Sequence, residues 1–186
     1  MTRSETIAQI EKLDPHYAKI LREFHAEMDG LIALPPRLAR LCNLGAAVTV
    51  RAPGLVREHL EAGRAAGARP EEMLEVLFLC MNFAGFAALS EALAIFLDQL
   101  GSENLKGQAI SDYPPAGKEG GYDKAALEVG AEMYGTTRAK GTVDMFRAVG
   151  GQRFAEALEA YAYAGLCRRR VLSALDREII SVALLS

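Results

Sequence analysis

The sequence has few cysteines, no CxxC pair, no long uncharged apolar run and no excess of positive charge. Each absence removes a class of protein. Cys42, Cys80 and Cys167 are odd in number and far apart. Neither a disulfide framework nor a zinc site is indicated, no metal ligands are assigned, and three reduced thiols fit a cytoplasmic setting. Cys80 sits inside an apolar stretch and reads as a small core residue. A net charge of −3 over 186 residues leaves no basic surface for phosphates, so nucleic acid is not an expected partner. The opening MTRSETIAQIEKLDP lacks the apolar centre of a signal peptide. No uncharged run reaches the roughly 18 residues of a membrane span, so no membrane partner is expected either. An alternating strand pattern is also missing.

What is present is helical periodicity. Asp14-Pro15 reads as an N-cap with proline at the first helical position. Tyr17, Ile20, Leu21, Phe24 and Met28 then form one apolar stripe, which Asp29-Gly30 is expected to end. Pro35-Pro36 opens a helix with Leu38, Leu41, Leu44 and Val48, and Pro53 opens another with Val56 and Leu60. Pro70 opens a fourth, with Glu71 and Glu72 where the helix dipole favours anions. That helix is apolar nearly all round from Met73 to Phe83, interrupted only by Glu75 and Asn82, which implies burial all round. A fifth helix follows Gly85 and stops at Gly101, with Leu89, Leu93, Phe96, Leu97 and Leu100 on one stripe. Short loops favour antiparallel neighbours, so the expected fold is an all-α antiparallel bundle around residues 70–85.

Residues 102–123 are rich in Gly, Pro, Ser and Asp and read as a connector. Helical pattern resumes at Lys124–Tyr134, again at Thr137–Val149, and from Gln152 onwards. A faint repeat pairs HYAKILREF (16–24) with RFAEALEAY (153–161), and ALPPRLARL (33–41) with ALDREIISV (174–182). The expected organisation is a complete helical repeat over 1–105, a connector over 106–123, and a helical segment over 124–186 with a partial second repeat.

The ordered segments LPPRLARL (34–41), VREHLEAG (56–63), AGARPEEMLEVLFL (66–79) and FAGFAALSEAL (83–93) resemble the carboxymuconolactone decarboxylase family. The resemblance covers residues 13–105 and returns partially over 150–186. It implies a helical-repeat fold and places His59 at the family's histidine. The family's thiol branch carries a CxxC and a glutamate. Here Ala52, Leu55 and Arg40 stand at those positions, and disulfide exchange requires a thiolate, so thiol peroxidase chemistry is excluded at this site. The decarboxylase branch implies loss of CO2 from a carboxylated lactone with no cofactor. Such chemistry needs cations for the substrate carboxylates, a donor to the developing oxyanion and a proton source near neutral pKa. Phe83 replaces the family's tyrosine and Ala87 its proline, which leaves the substrate open.

His59 shares a helical face with Leu55, Val56, Ala62, Gly63 and Ala66 and is the residue singled out as catalytic, against a purely structural role. Glu91 matches a family glutamate and is the second catalytic candidate, against a solvent-exposed pair. Arg37, Arg40 and Arg57 are candidate substrate-binding cations because a guanidinium fork suits a carboxylate; the alternative is a solvated face. His16, His25 and the run Arg168–Arg170 match no motif and read as surface or packing groups. Two functions stay open: a cofactor-free lyase or isomerase acting on a small carboxylate, and a non-catalytic helical oligomer with a binding or scaffolding role. A homo-oligomer is expected in either case, a trimer or hexamer as the resemblance implies. The stretch Ile179, Ile180, Val182, Ala183, Leu184 and Leu185 is expected to present an apolar end that one five-helix bundle leaves uncovered.

Overall fold

The structure, a computed structural model, describes residues 1–31, 33–101, 118–119 and 122–185. Among the described residues it is all-α, apart from one short strand pair. The chain divides into two compact units, residues 1–105 with 179–186, and residues 106–178.

The first unit opens with α1 (Arg3–Leu13), a helix the periodicity did not announce. Its signal lies in Thr2 and Glu5. Thr2 Oγ1 accepts from Glu5 N at 3.2 Å, and Glu5 Oε2 accepts from Thr2 N at 2.8 Å, a reciprocal capping box. Helix α2 (Pro15–Leu31) starts where Asp14-Pro15 places it, with Asp14 Oδ1 accepting from Tyr17 N at 2.9 Å. It runs to Leu31, past the Asp29-Gly30 stop expected from sequence.

Helices α3 (Pro36–Thr49) and α4 (Pro53–Ala65) form a hairpin. The turn is made by Arg51 in a left-handed conformation at φ 54°, one of the few places a non-glycine residue adopts it. Leu38, Leu41, Leu44 and Val48 from α3 meet Val56 and Leu60 from α4 in the core. Helix α5 (Pro70–Leu100) packs on both. At Gly63 an added Cβ would stand 3.2 Å from Met73 Sδ, so the glycine lets α4 and α5 approach closely.

Gly85, at φ 79°, breaks α5 into two arms, a conformation glycine tolerates and L-residues resist. In the first arm every residue from Glu71 to Leu77, then Leu79 and Cys80, is buried. All-round burial stops there: Asn82, Phe83 and Phe86 are exposed, because no described helix covers the segment at the break. The second arm lies along α4, tied by Arg57 to Asp98 at 2.7 Å and by Gln99 Nε2 donating to Glu61 Oε1 at 3.1 Å. By length and composition α5 is apolar enough to cross a bilayer, and half of that apolar window is packed inside the protein.

The last residues of α8 (Ala174–Leu184) belong to this unit, and they correct a second expectation. Ile180 and Leu184 are buried, and a Cβ added at Gly45 would come within 2.5 Å of Leu184 Cδ2. One face of the terminal apolar stretch is therefore covered by α3, while Val182 and Leu185 remain exposed.

In the second unit Lys118–Glu119 (β1) pairs antiparallel with Tyr122–Asp123 (β2). The rest of the expected connector, residues 102–117 and 120–121, lies outside the described residues. Asp123 caps α6 (Lys124–Tyr134) by accepting from Ala126 N at 2.9 Å. Helix α7 (Thr136–Leu158) is broken at Gly151, φ 78°. A π-helical segment (Glu159–Leu166) and a 3₁₀ turn (Cys167–Arg169) lead to Ser173, whose hydroxyl accepts from Asp176 N at 3.0 Å and starts α8.

Candidate functional site

The α3–α4 hairpin and the first arm of α5 position the residues singled out from sequence. Val56, Leu60 and Gly63 turn one face of α4 to the core. His59 lies one turn from Val56 and from Gly63, so its ring is half-buried and its Nδ1 is shielded from solvent.

The four arginines of this region differ in what they hold. Arg37 donates from Nη1 to Glu72 Oε1 at 2.9 Å. Glu72 is nearly buried, and its other oxygen accepts from Arg69 N at 2.9 Å while the Arg69 guanidinium lies 3.4 Å away. Glu72 thus joins the start of α3 to the start of α5. Arg57 is exposed and neutralised by Asp98. Arg51 is exposed and paired with Glu91. Arg40, one turn beyond Arg37 and half-buried, makes no hydrogen bond or ion pair among the described residues. Of the three arginines expected to bind substrate, it is the one whose charge no described carboxylate meets.

Glu91 stands in open solvent with its carboxylate held by Arg51, whose guanidinium keeps the pKa below the ordinary carboxylate range. The two residues edge an apolar notch of about 10 Å³ among Val48, Val56, Ala88 and Ile95. That is room for about one water and not for a lactone. The structure does not bring Glu91 together with Arg37, which is committed to the opposite end of α3.

Other buried carboxylates of α5 also escaped the sequence assignment. Glu75 is fully buried and Glu71 nearly so, both in the first turns of α5. Oε2 of each is shielded from solvent. The signal for Glu75 was its position as the one acid inside an otherwise apolar stretch. Burial of a carboxylate is costly, so such a residue calls for a structural or chemical reason.

The thiols fit the exclusion of disulfide chemistry. All three cysteines are buried and unbridged. Burial pushes the Cys80 thiol up to about 12, far from the thiolate that exchange requires. Among the described residues no cluster of His, Cys, Asp and Glu is arranged to hold a metal ion.

A cavity of about 490 Å³ lies elsewhere in the first unit. It is bounded by Arg3 and Glu11 of α1, Arg22 and His25 of α2, and Glu58 of α4. Its charges are paired within the chain: Arg22 donates twice to Glu11, at 2.7 and 3.1 Å, and Glu58 accepts from Arg3 N at 2.7 Å. His59, Arg37 and Arg40 are absent from its lining.

A helical hairpin closed by a Pro-initiated core helix, with a half-buried histidine on the second hairpin helix, defines an all-α, carboxymuconolactone decarboxylase-like domain. Residues 15–98 match the model of the carboxymuconolactone decarboxylase family. No curated protein and no solved structure matches the chain significantly.

Proposed function

We propose that residues 15–98 bind a small carboxylate through Arg40 and act on it as a cofactor-free lyase or isomerase, with His59 moving the proton. The observation that carries this reading is Arg40: a half-buried guanidinium that no described carboxylate neutralises, on the helix paired with the one bearing His59. A guanidinium without a carboxylate partner favours an anion, and its fork can take both carboxylate oxygens.

The reaction implied by the family resemblance balances with these two groups. In a carboxylated unsaturated lactone the C–C bond to the departing carboxylate breaks and CO2 leaves. The electron pair passes into the lactone as a dienolate. Protonated His59 then delivers a proton to carbon, and the imidazole is reprotonated from water. Arg37 and Arg57, each engaged with a carboxylate of the chain, and Glu91, engaged with Arg51, support the helices around this pair.

Turnover of carboxylated unsaturated γ-lactones, followed as CO2 release, tests the reading. His59→Gln should lower kcat by roughly 10²–10⁴, the usual range for loss of a general acid. Arg40→Gln should raise KM more than it lowers kcat. Full activity in both variants would overturn the assignment.

The second reading is a non-catalytic binding or scaffolding module. It is favoured by one observation: His59 is absent from the lining of the cavity of about 490 Å³ in the same unit. Under it, such lactones would leave the thermal midpoint unchanged and no CO2 would appear.

A further inference from the structure

Helix α1 is ordered but adds nothing to the core: none of its 11 residues is buried. So short a helix is marginal in water by itself, and two clamps hold this one. In its last turn Glu11 takes both terminal nitrogens of Arg22 from α2, at 2.7 and 3.1 Å. In its first turn Arg3 lies 3.8 Å from Glu58 of α4, which also accepts from the Arg3 amide at 2.7 Å. Between the clamps the protein leaves a gap. Ile7 and Ala8 of α1 border the cavity of about 490 Å³ together with His25 and Ala26 of α2, and both alanines remain exposed. Its volume falls within the range of small-molecule sites, about 300–1,000 Å³.

The lining carries two guanidiniums and two carboxylates, matched in pairs. A ligand of one sign that entered either pair would strand the charge it displaced. A ligand carrying both signs exchanges one internal pair for two external ones and leaves nothing unmatched. The Arg22–Glu11 pair is the easier to open: its side chains are 45 and 51 % exposed, and exposed pairs contribute little. His25 adds a donor. Its ring meets Phe24 edge-on at 5.6 Å and has no hydrogen-bond partner among the described residues, and imidazole carries an N–H in both of its ionisation states. Ile7, Ala8 and Ala26 supply an apolar wall.

We propose that the cleft between α1, α2 and α4 binds a dipolar α-amino acid with an aliphatic side chain. Its carboxylate goes to Arg22 and His25, and its ammonium group to the Glu11 carboxylate released from Arg22. The aliphatic side chain lies on Ile7, Ala8 and Ala26, and the Arg3–Glu58 clamp keeps α1 over the ligand. Arg3, Ile7, Ala8 and Glu11 fall outside residues 15–98, so the site is an addition to that span. It does not depend on the roles proposed for His59 and Arg40.

Titration of L-leucine into the full chain, followed by calorimetry and by the Arg22 Nε–H and His25 ring resonances, tests it. Both signals should shift and saturate, and amide exchange in α1 should slow. Isocaproate lacks the ammonium group and isopentylamine lacks the carboxylate; each should bind about tenfold more weakly or worse, as expected for loss of a charge-assisted contact. Arg22→Gln should weaken L-leucine to a similar degree. Glu11→Gln should abolish the preference for L-leucine over isocaproate, because no carboxylate is then left stranded. Both variants should keep the helical circular dichroism, since the two side chains are largely exposed. The absence of a saturable shift with L-leucine, equal binding of either single-charge analogue to the unaltered chain, unchanged affinity in Arg22→Gln, or a preference that survives Glu11→Gln would overturn the proposal.

Discussion

Arg51 holds Glu91 with both edges of its guanidinium, Nε donating to Oε2 at 3.1 Å and Nη2 to Oε1. The pair fastens the turn between α3 and α4 to the second arm of α5, from a residue in the left-handed region. Arg51 depresses the carboxyl pKa of Glu91. A lowered folded-state pKa gives a contribution that is present above the unfolded value and fades as pH falls through the folded one. Glu91→Gln should therefore lower urea stability slightly at pH 7, and the difference from wild type should vanish in acid and shrink in molar salt. A deficit that persisted in acid would assign Glu91 another role.

Glu72 is the stronger joint. It is nearly buried and binds Arg37, the Arg69 backbone and the Arg69 side chain at once. Removing it leaves Arg37 without this partner and strips the start of α5 of an acceptor. Glu72→Ala should cost about 1–3 kcal/mol in chemical denaturation. A double-mutant cycle with Arg37→Ala should show coupling of on the order of 1 kcal/mol. Additive effects would contradict the pairing.

Gly45 reports on the end of α8. A methyl group there meets Leu184 Cδ2 at 2.5 Å and Val76 Cγ1 at 3.3 Å. Gly45→Ala should destabilise by about 1–3 kcal/mol through overpacking. Leu184→Ala in the same chain should recover part of that loss, since it vacates the contested space. Failure of the second change to relieve the first would place Leu184 elsewhere.

Glu159 provides a pH test in the second unit. It opens the π-helical segment almost wholly buried, accepting from Asp123 N at 3.4 Å. Desolvation raises its pKa, against the lowering effects of the Asp123 amide and Arg147. The folded state then holds the proton to higher pH than the unfolded chain. Stability is lost as pH rises from the ordinary carboxylate range through the raised value. Glu159→Gln keeps an acceptor for the amide and removes the ionisation. Its stability relative to wild type should grow across that window and stay flat above it; no change with pH would contradict the assignment.

The helices were legible in the sequence because proline and glycine punctuate it. Asp14-Pro15, Pro36, Pro53 and Pro70 each open an element, and Gly85 breaks α5 where the apolar pattern changes. Helix α1 was missed because its capping residues carry the signal and its faces are polar, with none of its residues buried. Amphipathicity was also misleading about environment. The α2 stripe repeats as a core-facing stripe does, yet it is exposed, since periodicity records that a helix has two faces and not what covers either. The site was readable as residue types and not as pairings. Which arginine is spent on a carboxylate depends on helix register, and Glu72 and Asp98 lie 35 and 41 residues from the arginines they engage.

The central claim is that Arg40 is the anion-binding group of the His59 site. It is tested most directly by titrating a carboxylated unsaturated γ-lactone into the folded protein while following the His59 ring and Arg40 Nε–H resonances. The account predicts saturable shifts of both signals, and loss of the His59 response in Arg40→Gln but not in Arg57→Gln. A His59 response that is absent, or that survives unchanged in Arg40→Gln, would contradict it.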